Sequence, residues 1–267
     1  MPNNESTSKR LCLWCGSPLA QSRSREHVVA DWLAQKLNAS KETVTAFVAQ
    51  TFNEEIVLQR EHDVDSMVEG RVCGSCNKGW MSDLENKVKP VLETLISMDR
   101  LVFSLNKDER SMVAKWAVKT AYMLSKSSNF EPRVEACHLK SFYEGSAQIP
   151  SGVSCFANHC NGSRFLSWVQ ENCWPTFSPE HDLPSHRGSY KIGLQFGALI
   201  LVVAYWPHPG WSFLLGAGVH APLWPQENIY FAYSVREPPP RSTDSYQTLR
   251  WFTRTIAVLD RNQHIPE

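Results

Sequence analysis

The sequence has no charge surplus: 27 basic side chains are matched by 27 acidic ones over 267 residues. No whole-chain field therefore draws it to nucleic acid or to an anionic surface, and any such binding must rest on local patches. Long apolar runs are missing as well. The longest, Ile192 to Trp206, is interrupted by Gln195 and Gly197 and stops at Pro207. It falls short of the ~20 residues a membrane span needs and reads as core strand, so no membrane partner is expected. The opening MPNNESTSKR lacks the apolar stretch of an export signal and reads as a flexible segment, residues 1–10, of a cytoplasmic chain. Internal repeats and low-complexity linkers are absent, which leaves unit boundaries approximate. What remains, 42% hydrophobic, 11% aromatic and 20% charged residues, is the composition of a folded globular chain long enough for two ordinary domains.

Eight cysteines are present, and four of them form two Cys-x2-Cys pairs, Cys12/Cys15 and Cys73/Cys76. Without a secretory signal, such pairs point to metal sooner than to disulfides. Each pair offers two thiolates from a tight turn, and a tetrahedral ion about 2.3 Å from each sulfur is closed by bringing the pairs together. Zinc is the expected occupant. Its role is structural, because four sulfurs leave no open position for substrate. The 57 residues between the pairs, 16–72, make the metal a clip around a whole subdomain.

Periodicity places the elements coarsely. Val29, Trp32, Leu33 and Leu37 recur at helical spacing after Glu26-His27, and strand-like runs follow at Thr43 to Ala49 and Glu55 to Arg60. Trp80, Leu84, Val88, Val91 and Leu95 keep a helical period, with Pro90 predicting two short helices end to end. From Lys107 to Lys126, Val113, Trp116, Ala117, Thr120, Ala121 and Leu124 share one face, opposite Lys115, Lys119, Tyr122 and Lys126. Beyond Pro150, strand candidates appear near Lys191–Trp206, Trp211–Val219, Asn228–Val235 and Leu249–Leu259, linked by a hairpin turn at Trp206 to Trp211 and a rigid Pro238–Pro240 connector. The expected fold is α+β, with a zinc-clipped module over 11–98 and a helix plus antiparallel sheet over 99–267.

Glu26-His27 follows the first cysteine pair, and Asn77 directly follows Cys76. This order, Cys-x2-Cys, acid-His-aliphatic, then Cys-x2-Cys-Asn, resembles the zinc-containing branch of the HNH, or ββα-metal, endonuclease superfamily, over roughly Cys12 to Glu85. The resemblance implies a ββα-metal module in which Glu26 and Asn77 bind a catalytic Mg2+ or Mn2+ ion and His27 activates water, with DNA as partner. A context in a phage, a mobile element or a defence system, with a targeting or regulatory protein, is implied by the same resemblance. The residue types suit the chemistry on their own terms. Carboxylate and amide oxygens are hard donors for Mg2+, thiolates suit zinc, and an imidazole accepts a proton near neutral pH. Neighbours on a strand point to opposite sides, so Glu26 and His27 must sit at a bend or strand end if both serve one phosphate.

Several positions stay open on sequence grounds. Ala30 stands where many HNH proteins have proline, and Glu69 is the candidate for a second-strand position. Glu85 either completes the ion's shell or pairs with Lys89 along the helix. His62 is a rival base, fifteen residues before Asn77. Trp80 reads as helix core sooner than as a base-stacking platform. Arg23, Arg25 and Lys78 are candidate phosphate contacts, whereas Lys115, Lys119 and Lys126 read by default as a solvated face. Cys155, His159, Cys160 and Cys173 match no tight-turn metal spacing and read as buried structural residues. Against the nuclease stand two alternatives: a catalytically inactive, zinc-dependent nucleic-acid-binding protein, and a zinc-held protein-interaction module.

Overall fold

The computed structural model describes residues 10–19, 23–39, 43–49, 56–64, 67–127, 131–160, 166–173, 188–216, 218–225, 230–233 and 245–260. The expected flexible 1–10 segment, save Arg10, and the Pro238–Pro240 connector lie outside them. In chain order the elements are β1 (Arg23–His27), α1 (Asp31–Lys36), β2 (Thr43–Ala49), β3 (Ile56–Asp63), β4 (Val68–Cys73), the single turn α2 (Gly74–Cys76), α3 (Ser82–Ile96), α4 (Lys107–Ser127), α5 (Ala136–Glu144), β5 (Val153–His159), β6 (Leu166–Glu171), β7 (Tyr190–Phe196), β8 (Leu199–Tyr205), β9 (Trp211–Gly216), β10 (Ala221–Trp224), β11 (Tyr230–Tyr233), α6 (Ser245–Arg254) and β12 (Ile256–Asp260). The protein is thus α+β. Among the described residues no helix is long and apolar enough to cross a membrane.

Strands β6 and β7 are buried at every residue, which only a sheet covered on both faces permits. They lie within a seven-stranded sheet of order β10-β5-β8-β7-β6-β2-β3, antiparallel except for the β2–β6 pair. Alternate residues divide between two cores. Leu199, Leu201 and Val203 of β8 join Cys155 of β5 on the side of α4, while Ile200, Val202 and Ala204 join Phe156 on the side of α6 and β12. A smaller sheet, β11-β9-β12, completes that second side. The tight β7–β8 turn requires Gly197, whose φ of +59° and close neighbours Leu37 and Ile96 leave little room for a side chain. This turn docks the sheet on α1 and α3. Among the described residues, β2 and β3 enter the large sheet through β6, and one core cluster includes residues from Cys12 to Leu223.

Four local expectations need correction. Helix α3 is one continuous helix through Pro90, because Pro90 and Asn86, whose carbonyl loses its partner, both face solvent. Residues 249–259 are not one strand but the end of α6 followed by β12. The Trp206 to Trp211 segment does not close a hairpin, since β8 and β9 belong to different sheets. Helix α4 has no wholly solvated face over its second half: Lys119 and Tyr122 are as buried as Trp116, because the ribbon and α5 cover the side left open by the sheet.

The second core holds a charged network. Glu171, fully buried, lies 3.1 Å from Lys191 Nζ on the neighbouring strand and 2.6 Å from Arg250 of α6. The same ammonium donates to the carbonyls of Thr253 and Ile256, at 2.9 and 3.2 Å, and so pins the α6–β12 corner to the sheet. Glu171→Ala would strand two buried cations, at a cost of about 3–5 kcal/mol in the urea midpoint, whereas replacing all three residues by apolar ones of similar volume is close to neutral. His220 nearby has its Nε2 2.7 Å from Thr255 Oγ1, and burial pulls its pKa down to about 3. The unfolded chain takes up this proton near pH 6.5, and the native one does not. Stability therefore falls by about 1.4 kcal/mol per pH unit below that point until about pH 3. Urea titrations at pH 7.5 and 5 should show this slope, reduced in His220→Gln.

Candidate metal centre and adjoining acidic site

Two short loops meet at the cysteines. The first is closed by a Leu11–Pro18 bridge and by hydrogen bonds from Cys12 N to Ser17 O and from Gly16 N to Cys12 O, with Gly16 at φ +69°. It is tied to β4 by Leu13 N donating to Arg71 O at 2.8 Å. The second is the end of β4 running into α2. The sulfurs of Cys12 and Cys76 lie 3.9 Å apart, those of Cys15 and Cys73 lie 3.6 Å apart, and all four fall within 4.8 Å of one another. Four thiolates about 2.3 Å from one tetrahedral ion stand about 3.8 Å apart, so the cluster has the size to hold a metal ion such as zinc. The amides of Cys73 and Cys76 point at sulfurs of Cys12 and Cys73, both at 3.4 Å. Burial raises the Cys12 and Cys76 thiols, whereas at Cys15 hydrogen bonds from Ser17 outweigh burial and bring the pKa to about 6. Four sulfurs this close do not all ionise without a cation among them. The cluster is the only such grouping of His, Cys, Asp and Glu among the described residues. Cys155 lies on one face of the large sheet and Cys160 and Cys173 on the other, while His159 bonds the Leu95 carbonyl.

An aromatic cluster seats the loops on the body. Trp14 and Trp80 meet edge to face at 5.1 Å, and Phe142 of α5 lies 5.9 Å from each. Trp80 therefore packs as core. It also borders a cavity of about 730 Å³ shared by Lys87, Lys115, Asp83, Asp108 and Tyr143, whose mixed charge does not make a phosphate track.

Beside the cluster, β1 and β4 form an antiparallel ribbon with Glu26 opposite Glu69 and His27 opposite Val68. A register shift between Ser24 and Glu26 makes Arg25 a bulge, and His27 ends the strand, so the expected bend is present. Glu26 turns inward towards α4, where its Oε1 is 3.7 Å from Lys119 Nζ. His27 is 40% exposed, its Nδ1 3.3 Å from Asp31 Oδ1 at the start of α1. Burial raises the Glu26 carboxyl, with Lys119 opposing the rise and Glu85 adding to it.

Glu85 does not pair with Lys89, which reaches Glu93 at 3.9 Å. Its Oε1 accepts from the Trp32 indole at 3.1 Å, and its Oε2 accepts from the Trp116 indole at 2.9 Å and from Lys119 at 3.3 Å. Three donors outcompete the helix neighbour because the site is largely closed to water. Glu69 is likewise committed, to Arg71 through two bonds of 2.9 Å. His62 lies on edge strand β3 against Trp168, away from the ribbon, and burial lowers its pKa. Asn77 opens the π-type turn Asn77–Met81 after Cys76, and Lys78 is exposed on that turn. Arg23 and Arg25 lie on β1, their side chains outside the described residues. Lys126 donates to Val134 O at 2.6 Å, so it is no phosphate contact.

The structure thus joins the four cysteines, and it joins Glu26 to Glu85 through Lys119. Two partners escaped the sequence reading. Asp31 had a signal, four residues after His27 at a helix start. Lys119 had only its position among apolar neighbours. Set against known protein families, functionally described proteins and solved structures, the chain matches none.

Zinc analysis of the purified chain should return about one ion per molecule. Cys15→Ser and Cys73→Ser should each lose it, and a strong chelator should collapse the near-ultraviolet circular dichroism of the Trp14–Trp80 pair.

Proposed function

We propose that this chain is an HNH-like endonuclease that hydrolyses phosphodiester bonds in DNA, with a zinc ion held by Cys12, Cys15, Cys73 and Cys76 as its structural clip. The observation that carries the reading is the order of parts: an antiparallel ribbon ending in Glu26-His27, a helix entered straight from its second strand, a four-sulfur cluster at the junction, and Asn77 directly after it. That order supports the ββα reading of the motif. Glu26 and Asn77 supply hard oxygens and are the residues that would hold a Mg2+ or Mn2+ ion, with Glu85, whose oxygens already accept from two indoles and Lys119, a further carboxylate at the same place. When bound, such an ion neutralises charge developing on the phosphate and the leaving oxygen.

In this reading His27 takes a proton from water. Asp31 fixes its Nδ1 side, which leaves Nε2 to face the nucleophile, the same logic by which a carboxylate orients a catalytic imidazole. Exposed Lys78 on the adjoining turn suits a phosphate contact. The balanced net charge favours an enzyme delivered to its substrate by a partner over an indiscriminate one, since nonspecific affinity rests on many phosphate contacts. The inactive binding protein remains the second reading, and one observation favours it: a buried ammonium already stands beside Glu26.

Purified chain should nick supercoiled plasmid with Mg2+ or Mn2+ and not with chelator present. His27→Ala should lower the rate by about 10²–10⁴ with zinc retained, and Asn77→Ala should lose the ion-dependent cutting. A parent that binds DNA with zinc in place but never cuts it establishes the second reading.

A further inference from the structure

The surroundings of Glu26 carry one step more, which rests on the nuclease reading. Lys119 is 4% exposed. Its Nζ is anchored on Glu85, and Glu85 is itself fixed because both its oxygens are engaged by the Trp32 and Trp116 indoles. The ammonium is therefore not a mobile surface group that drifts aside; it is held 3.7 Å from the Glu26 oxygen. Glu26, Glu85 and Lys119 together sum to a single negative charge. One carboxylate and the neutral Asn77 amide, with a fixed cation alongside, make a poor resting place for a divalent ion. A phosphodiester brings the missing negative charge and further hard oxygens.

We propose that Lys119 is an internal competitor for the divalent ion at Glu26, so that the ion binds together with a nucleic-acid phosphate and only weakly before it. Lys119 is then a positioning residue: it keeps Glu26 in place without an ion and ties loading of the site to arrival of substrate. Glu85 serves as its anchor.

The test is Mn2+ binding read by electron paramagnetic resonance on the full zinc-loaded chain, in a His27→Ala background that silences cleavage, with and without a short DNA duplex. The parent should bind Mn2+ weakly alone and at least about tenfold more tightly with duplex. Lys119→Met should bind Mn2+ alone about tenfold more tightly and lose most of the dependence on duplex, while Lys119→Arg should behave as the parent. Unchanged affinity in Lys119→Met, a parent indifferent to duplex, or no Mn2+ binding in either form overturns the proposal. Should Lys119→Met fail to fold, Lys119→Met/Glu85→Gln compared with Glu85→Gln carries the same comparison, because it removes one charge of each sign. Plasmid cutting separates the two ideas. A parent that cuts with no affinity change in the variant defeats only the competitor, whereas ion–duplex coupling without cutting defeats only the nuclease.

Discussion

Four sulfurs within 4.8 Å of one another, a cluster that could hold a metal ion, bring together two segments that the chain separates by 57 residues. The elements around the candidate site all lead from that meeting point. The first loop hydrogen-bonds β4 through Leu13, β4 pairs β1, and β1 ends in Glu26 and His27. The second loop starts the turn that carries Asn77 and then α3 with Glu85. Neither loop has enough apolar surface to stay put alone. They are pressed onto the body by Trp14 and Trp80 against Phe142, so the sulfur cluster and the aromatic packing meet at the same place.

The sheet does the opposite kind of work. Its central strands β6 and β7 are covered on both faces, so polar groups they contain, such as Glu171 and Lys191, are internal and paired. Two buried lysines make the contrast plain. Lys191 joins Glu171, Arg250 and backbone carbonyls around a corner of the fold, far from any opening. Lys119 joins two carboxylates, one of which lies beside an exposed histidine. The first network has every mark of architecture. The second lies beside the candidate site, with Glu26 next in sequence to His27.

Sequence patterns located β2, β3, α1 and α4 within a few residues, and the cysteine spacing located the four-sulfur cluster, because tight turns and regular periods are written in neighbouring residues. Long-range partnership was not legible. Nothing local says that Glu85 faces two indoles from Trp32 and Trp116, or that Lys119 points inward while Lys115 does not, since both lysines lie on the same arc of an isolated helix. The aromatic and β-branched run before Leu259 has strand composition, yet its first half is α6, whose apolar side Leu249 and Phe252 fill against the sheet. There packing overrode propensity.

The excursion between the cysteine pairs has a kinetic consequence. Strand β2 lies inside the clipped loop and pairs in parallel with β6, so that Ala46 meets Trp168. A contact so distant along the chain is paid for late, after its intervening loops have lost their freedom. The clip can close early on local turns, but the loop it closes finds its sheet partner only when the far half has formed. A chain cut near residue 98 would keep its cysteines and leave β2 and β3 as a bare two-stranded ribbon, a form prone to pair with whatever edge it meets.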